Sequence, residues 1–430
     1  MLEYASYALV LLSLGMYVVL DGYDLGVGML SLFAAVERRR EYSELIATAW
    51  DANESWIVLA GVAMWAALPG LYATVLPGVY LPLIGMLFSI ILRGMGLEFQ
   101  GAASEYRRGW ALLFGTASAT ATLCQGLVVG AVLSGLRQAG GVFHGGAFDW
   151  LTPYSVLCGL GLVVLYLLAG AAWLQLKSEG ETRDRAARAG RPLLAGTVAA
   201  ALILAFGLEV ADPQQFRFDE PLRATLFWLA VTAAVAAGAY AWHGFGRRPD
   251  WRPFAAVVTA EVLGLLALVA ATVPVLVPAG LTVHQASSPH SSQLFLVLGV
   301  GLCMPVVFGY NAYAWWAFRG KFRQPAEPPL PPVSRSLAVA PEPATVPDRG
   351  ILAVTVRRIL LTVLGIALAA VSQDVFGGVA TWIDPVGIAL LCTVALAAWI
   401  TGDRRDQRDG AFDLPTDLPV DVPIDPAAGR

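Results

Sequence analysis

The chain is 430 residues long, with 57% hydrophobic and 14% charged residues and a mean hydropathy of +0.64. A soluble domain carries roughly a quarter charged residues, so a water-facing globular architecture is excluded, and the length is read as membrane spans of about 20 residues each. The formal net charge of −4 and pI near 5.6 leave no general basic footprint, which argues against nucleic acid as a partner.

Nine apolar runs follow one another, at about 5–30, 54–75, 78–99, 111–136, 154–176, 192–211, 222–243, 254–277 and 293–317. In lipid each can satisfy its backbone only as a helix, so the sequence predicts an all-α membrane protein. The first run is expected to be a retained span and not a cleaved signal. Its flank carries Glu3 in place of a basic residue, and its apolar stretch is longer than a signal core.

Basic residues then set the expected orientation. Arg38, Arg39 and Arg40 follow the first span, Arg107 and Arg108 the third, and Lys177, Arg183, Arg185, Arg188 and Arg191 the fifth. Arg247, Arg248 and Arg252 follow the seventh, and Arg319, Lys321 and Arg323 the ninth. Arg137 stands alone after the fourth. This alternation places the N-terminus outside and the ends of the odd-numbered spans in the cytoplasm.

Beyond the ninth span comes a Pro-rich stretch from Gln324 to Pro347, read as an extended linker. Two further apolar runs lie at about 357–373 and 382–401, flanked by Arg357 and Arg358 and by Arg404, Arg405 and Arg408. The tail repeats Asp413, Asp417, Asp421 and Asp425 with prolines between, which forbids a helix. A calcium site is one reading of those aspartates; a solvated, disordered tail fits the composition better. The expected organisation is thus a nine-span core over 1–320, a cytoplasmic linker over 321–350, two additional spans over 351–403 and a cytoplasmic tail over 404–430. The C-terminus falls in the cytoplasm.

Ionisable groups inside spans are costly and point to function. Asp21 and Asp24 sit late in the first span, Asp51 and Glu54 open the second, Arg93 and Glu98 close the third, and Glu261 lies early in the eighth. By the charge rule, all fall in the cytoplasmic half. Asp21 with Asp24, and Asp51 with Glu54, are three residues apart, so each pair projects from one helix face. Carboxylates gathered with one arginine near one membrane surface suit proton uptake from that side. The rival reading is that Asp51 and Glu54 cap a helix and meet its dipole. Arg93 can equally be a structural counter-ion to Asp24 or Glu98.

Cys124, Cys158, Cys303 and Cys392 lie in apolar runs without CxxC spacing, so they read as buried, inert thiols, not as disulfides or a zinc site. His144, His284 and His290 fall in external loops and His243 at a cytoplasmic helix end. A membrane haem usually needs an axial His, Met or Cys held within the bundle. No histidine pair is at bundle depth, and Met64, Met86, Met95 and Met304 read as packing. The chain is expected to bind no haem and no metal itself.

Three motifs then carry a family resemblance. Leu20-Asp-Gly-Tyr-Asp-Leu-Gly-Val-Gly-Met-Leu30 resembles the first-span signature of subunit II of cytochrome bd quinol oxidases. Trp50-Asp-Ala-Asn-Glu-Ser-Trp56 is similar to the next block of that family, in the spelling of its cyanide-insensitive, actinobacterial-type branch. Arg93-Gly-Met-Gly-Leu-Glu-Phe99 resembles the third. Ser287-Ser288, Ser291-Ser292-Gln293-Leu294, Pro305 and Tyr310 to Phe318 look like the family's last external loop and ninth span. The resemblance covers about residues 1–320.

What it implies is a nine-helix subunit of two four-helix bundles plus a peripheral helix, paired in the inner membrane with a similarly folded subunit I. That partner would carry the b haems, haem d and the quinol site. The pair would oxidise quinol and reduce dioxygen to water with cytoplasmic protons. The resemblance leaves room for a structural quinone and a small accessory subunit. Carried over by position, Asp51 resembles the family acid at the cytoplasmic mouth of a proton path, and Trp50, Asp24, Glu54, Arg93 and Glu98 match family motif positions; Glu54, Asp24, Glu98 and Asp21 are the further candidates for that path. Arg93 would be a counter-ion, and Trp50 and Trp56 structural. No residue of this chain would be catalytic.

Gln100 departs from the family, which commonly has a basic residue there, and the extension beyond residue 324 lies outside the common pattern. The alternative function is a proton-coupled secondary transporter using the same acids. Transporters often break helices symmetrically in two halves, and Pro82, Pro274, Pro278 and Pro305 are not so placed. A purely structural scaffold differs only in whether Asp51 moves protons.

Overall fold

The computed structural model of the chain describes residues 2–35, 38–102, 107–211, 220–278, 280–317 and 319–321. The linker, additional spans and tail expected beyond residue 321 lie outside the described residues, as does Cys392.

The described elements run α1 Leu2–Ser31, α2 Arg39–Glu44, α3 Trp50–Ala67, α4 Pro69–Gly78, α5 Tyr80–Ala102, α6 Arg107–Ser134, β1 Gln138–Ala139 and β2 Val142–Phe143. They continue through α7 Pro153–Lys177, α8 Gly180–Ala211, α9 Pro221–Gly244, α10 Trp251–Thr272, β3 Val275–Val277, β4 Leu281–Thr282, α11 Val283–Ala286 and α12 His290–Ala317. The protein is an all-α membrane protein. Eight helices among the described residues are long and apolar enough to cross a bilayer, namely α1, α5 to α10 and α12.

The expected second span, 54–75, differs. It is two helices, α3 and α4, broken at Leu68, where φ is −129° and ψ is 60°, with Pro69 opening α4. Proline lacks an N–H and favours the first turn of a helix, so a continuous apolar run is cut there. The break is closed by the loop that leads into α12: Ser288 N donates to Ala67 O at 2.9 Å, and Gln293 Nε2 donates to Ser288 O at 2.7 Å. The serine-rich motif before α12 therefore satisfies a backbone carbonyl that the break exposes. The eighth span is also shorter than expected, because Val275–Val277 pairs with Leu281–Thr282 as a small hairpin. A second hairpin joins β1 to β2 through Gly140 and Gly141, with φ of 60° and 77°, the twist that a two-residue turn requires.

Helix α1 lies at the centre and packs on α3, α6 and α7. Its glycines explain how. A Cβ on Gly170 of α7 would lie 2.6 Å from Val27 N, and one on Gly22 would lie 2.7 Å from the Tyr166 ring. Glycine at these places lets two backbones touch, which is how membrane helices gain packing where lipid offers no hydrophobic drive. The motif glycines are thus packing residues, and the opposite face of α1 is left to carry the acids.

The arginine-rich loops gather at one end. Arg183 donates to Asp250 Oδ1 through Nη2 at 2.7 Å and Lys321 donates to Asp250 Oδ2 at 2.6 Å, tying the starts of α8 and α10 to the segment after α12. Burial opposes ionisation of Asp250, but the hydrogen bonds from Arg183 and Lys321 override it and hold the carboxyl at about 2. Arg38 and Glu181 form a further ion pair at this end.

Candidate functional site

The polar faces of α1, α3 and α5 meet in the half of the bundle nearer the arginine-rich end. Asp21, Asp24 and Arg93 are fully buried, at 0%, 0% and 1% exposure. Arg93 reaches from α5 between two acids. Its Nη1 lies 2.7 Å from Asp21 Oδ1, close enough for an ion pair though not aligned as a hydrogen bond. Its Nη2 donates to Glu54 Oε1 on α3. Burying charges is tolerable when they are paired, and this guanidinium fork supplies the pairing.

Asp24 is held differently. Asn53 Nδ2 donates to Asp24 Oδ2 at 2.7 Å and lies 3.0 Å from Tyr23 Oη. Arg93 is thus a counter-ion, but its ion pairs are with Asp21 and Glu54 and not with Asp24 or Glu98, the partners considered from the sequence; helical spacing specifies a face, and the neighbouring helix decides which acid the arginine meets. Glu98 is exposed on α5, and among the described residues its carboxylate has no ion pair.

Asp51 is exposed in the first turn of α3, one turn before Glu54. The helix N-cap is Ala49 and no side chain caps it, so Asp51 meets the helix end through the dipole, without a capping hydrogen bond. Trp50 lies across Gly94, where an added Cβ would be 3.0 Å from the indole, and so covers the residue next to Arg93. Trp56 is buried and stacks with Phe308 at 5.9 Å. An aromatic cluster surrounds this layer: Tyr23 stacks on Trp173 at 4.3 Å, with Phe254 and Trp315 edge-on to Tyr23.

Two groups that sequence reasoning gave no role belong here. Asn53 sits inside the second motif but, as a neutral amide, carries no charge to draw notice. Tyr17 lies one turn before Asp21 and is 1% exposed. Deeper in the bundle, Gln125 Nε2 donates to Tyr166 Oη at 2.9 Å, while both oxygens of Glu261 are buried without a hydrogen bond among the described residues.

Among the described residues, the histidines lie towards the ends of the bundle. His144 lies in a connection and His284 in the short helix α11 at one end, His290 opens α12, and His243 is in the last turn of α9 at the other end. Met86 and Met304 are packed in apolar clusters. Among the described residues no three His, Cys, Asp or Glu side chains converge as a metal site. Of the cysteines expected to be buried, Cys158 is, Cys124 is half-buried, and Cys303 is exposed on the apolar outer face of α12.

Fold and cluster together define a polytopic helical membrane protein with an ionic site inside its bundle. The chain belongs to the cytochrome bd terminal oxidase subunit II family, whose model matches residues 2–318. It is thus a subunit of an oxidoreductase complex. It is 25% identical over 317 residues to cytochrome bd ubiquinol oxidase subunit 2 of Bacillus subtilis (strain 168), covering 70% of this chain and 90% of that protein. Against cytochrome bd-I ubiquinol oxidase subunit 2 of Escherichia coli K12 the identity is 31% over 182 residues, 39% of this chain and 47% of that one. The bd oxidase from Geobacillus thermodenitrificans shares the fold, with a TM-score of 0.63 at 15% identity over 74% of this chain and 98% of its own.

Proposed function

We propose that this chain is the haem-free second subunit of a cytochrome bd-type quinol oxidase, and that it admits protons to the complex from the cytoplasm. Subunit I holds the b haems and haem d, oxidises quinol and reduces dioxygen to water; this chain stabilises that partner and supplies a proton path. Residues 1–320 form the oxidase core, and the linker, two further spans and tail are an addition to it. The arginine-rich end faces the cytoplasm, the N-terminus lies outside and the C-terminus inside.

The observation that carries the proton role is the exposed Asp51 carboxylate one helical turn from Glu54, which is bonded to buried Arg93 and through it to Asp21. One guanidinium stands among three carboxylates, Asp21, Asp24 and Glu54, so the set has room to hold and exchange a proton while the arginine keeps the rest paired. Asp51 collects the proton at the surface, Glu54 takes it inward, and Asp24, fixed by Asn53, extends the set along α1.

The test is Asp51→Asn in the intact complex. Quinol oxidase turnover is expected to fall by roughly 100-fold or more, the range of a lost proton-transfer group, with haem content unchanged. Full turnover in that variant would leave Asp51 as a surface acid at a helix start.

A further inference from the structure

At the arginine-rich end, the first turns of α8 and the segment that follows α9 enclose an open cavity of about 550 Å³, lined by Arg183, Asp184, Arg188, Arg191, Phe245 and Arg247 among others. Four guanidiniums share this space with one carboxylate, and two of the four are already engaged. Arg183 pairs with Asp184 and Asp250, each at 2.7 Å. Arg191 donates to the carbonyls of Trp242 and Phe245 at 3.2 Å each, closing the end of α9, and lies 6.0 Å from the Trp242 ring. Arg188 and Arg247 are exposed, and among the described residues their side chains have neither an ion pair nor a hydrogen bond. Two unengaged guanidiniums lining one cavity whose acid is taken call for an anion with forked oxygens.

The surroundings say which anion. Next along α8 the exposed residues are apolar, Val198, Leu202 and Phe206. On α9, Trp228, Val235 and Trp242 are exposed at seven-residue spacing on one face, with Trp242 beside Arg191, a lining residue of the cavity. Tryptophan at the boundary between a charged and an apolar surface marks the headgroup level of a bilayer. The cavity therefore lies directly above a lipid-facing wall, and a ligand that fills it can lay acyl chains against α8 and α9. We propose that this cavity is a binding site for an anionic phospholipid, its phosphodiester held by Arg188 and Arg247, with Phe245 as the cavity floor. Basic pockets between helix ends at a membrane surface suit such headgroups. The Phe245 ring occupies the space that a side chain at position 190 would need, so Gly190 shapes that floor.

The experiment uses the full-length chain purified from its membrane with its co-purifying subunits, stripped of loosely held lipid and examined by native mass spectrometry. Phosphatidylglycerol is titrated against phosphatidylcholine, for the wild type and for R188Q/R247Q. Both arginines are exposed, so the variant keeps the fold, and Arg40→Gln, at the same end but paired with Glu44, is the control. The wild type and the control are expected to retain phosphatidylglycerol preferentially. The double variant is expected to bind it roughly 30-fold more weakly, since each arginine at a membrane surface is worth about a factor of five. Equal phosphatidylglycerol affinity in wild type and double variant would overturn the site. Displacement of the lipid by inorganic phosphate as effectively as by phosphatidylglycerol would overturn the lipid assignment, since a soluble anion would then be the ligand.

Discussion

Arg93 is the residue on which the buried cluster depends. It is 1% exposed and contacts acids from two other helices, so removing its charge leaves Asp21 buried beside no cation. Stranding one member of a buried pair costs about 3–5 kcal/mol, whereas neutralising both members is far cheaper. Arg93→Gln is therefore expected to reduce the yield of assembled complex sharply, and Asp21→Asn combined with it to restore much of that yield. A double variant no better than Arg93→Gln alone would show that the arginine acts through something other than Asp21. Glu54 differs from Asp21 in remaining 16% exposed, which suits the proposed role of passing a proton inward from Asp51. Asn53 completes the picture, since its amide gives Asp24 a neutral partner where a second arginine would fix the acid as an ion.

At the scale of elements, α1 divides its labour between two faces, glycine toward α7 and carboxylate toward α3 and α5. Gly26→Leu is expected to abolish assembly, because its side chain would run into the backbone of Tyr166 and Gly170. Gly264→Ala on α10, with nothing within 4 Å of the added carbon, is expected to leave yield unchanged. Similar yields of the two variants, measured by haem per milligram of purified complex, would remove the packing role assigned to the first motif.

The spans were legible because membrane length and hydropathy dictate them, although α3 starts at Trp50, before the apolar run expected from 54. The break at Leu68 was not, since Leu68-Pro69 sits inside an unbroken apolar run and only the loop at Ser288 makes the break affordable. Nor were the charged first turns of α8, 180–191, which continue the helix beyond the apolar stretch. The acids of the site were visible from their depth in spans, whereas the choice of Asp21 and Glu54 as partners of Arg93 depends on how α1, α3 and α5 are rotated, which spacing alone does not fix.

At the scale of the whole molecule, the family match ends at residue 318 and the last described helix ends at Ala317, which is where we propose the oxidase core to end. A chain ended at residue 323 is expected to assemble with its partner; failure to recover that partner would make the extension part of the core. The central claim, that this chain serves redox chemistry carried by another subunit, is tested most directly by a reduced-minus-oxidised visible spectrum of the tagged chain purified gently from its own membranes. The expected result is a haem d band together with b-type signals, accompanied by a second polypeptide, and loss of all of them when that polypeptide is removed. A spectrally silent preparation of this chain alone, stable and folded, would contradict it, as would a stoichiometric b-type signal that stays with the isolated chain.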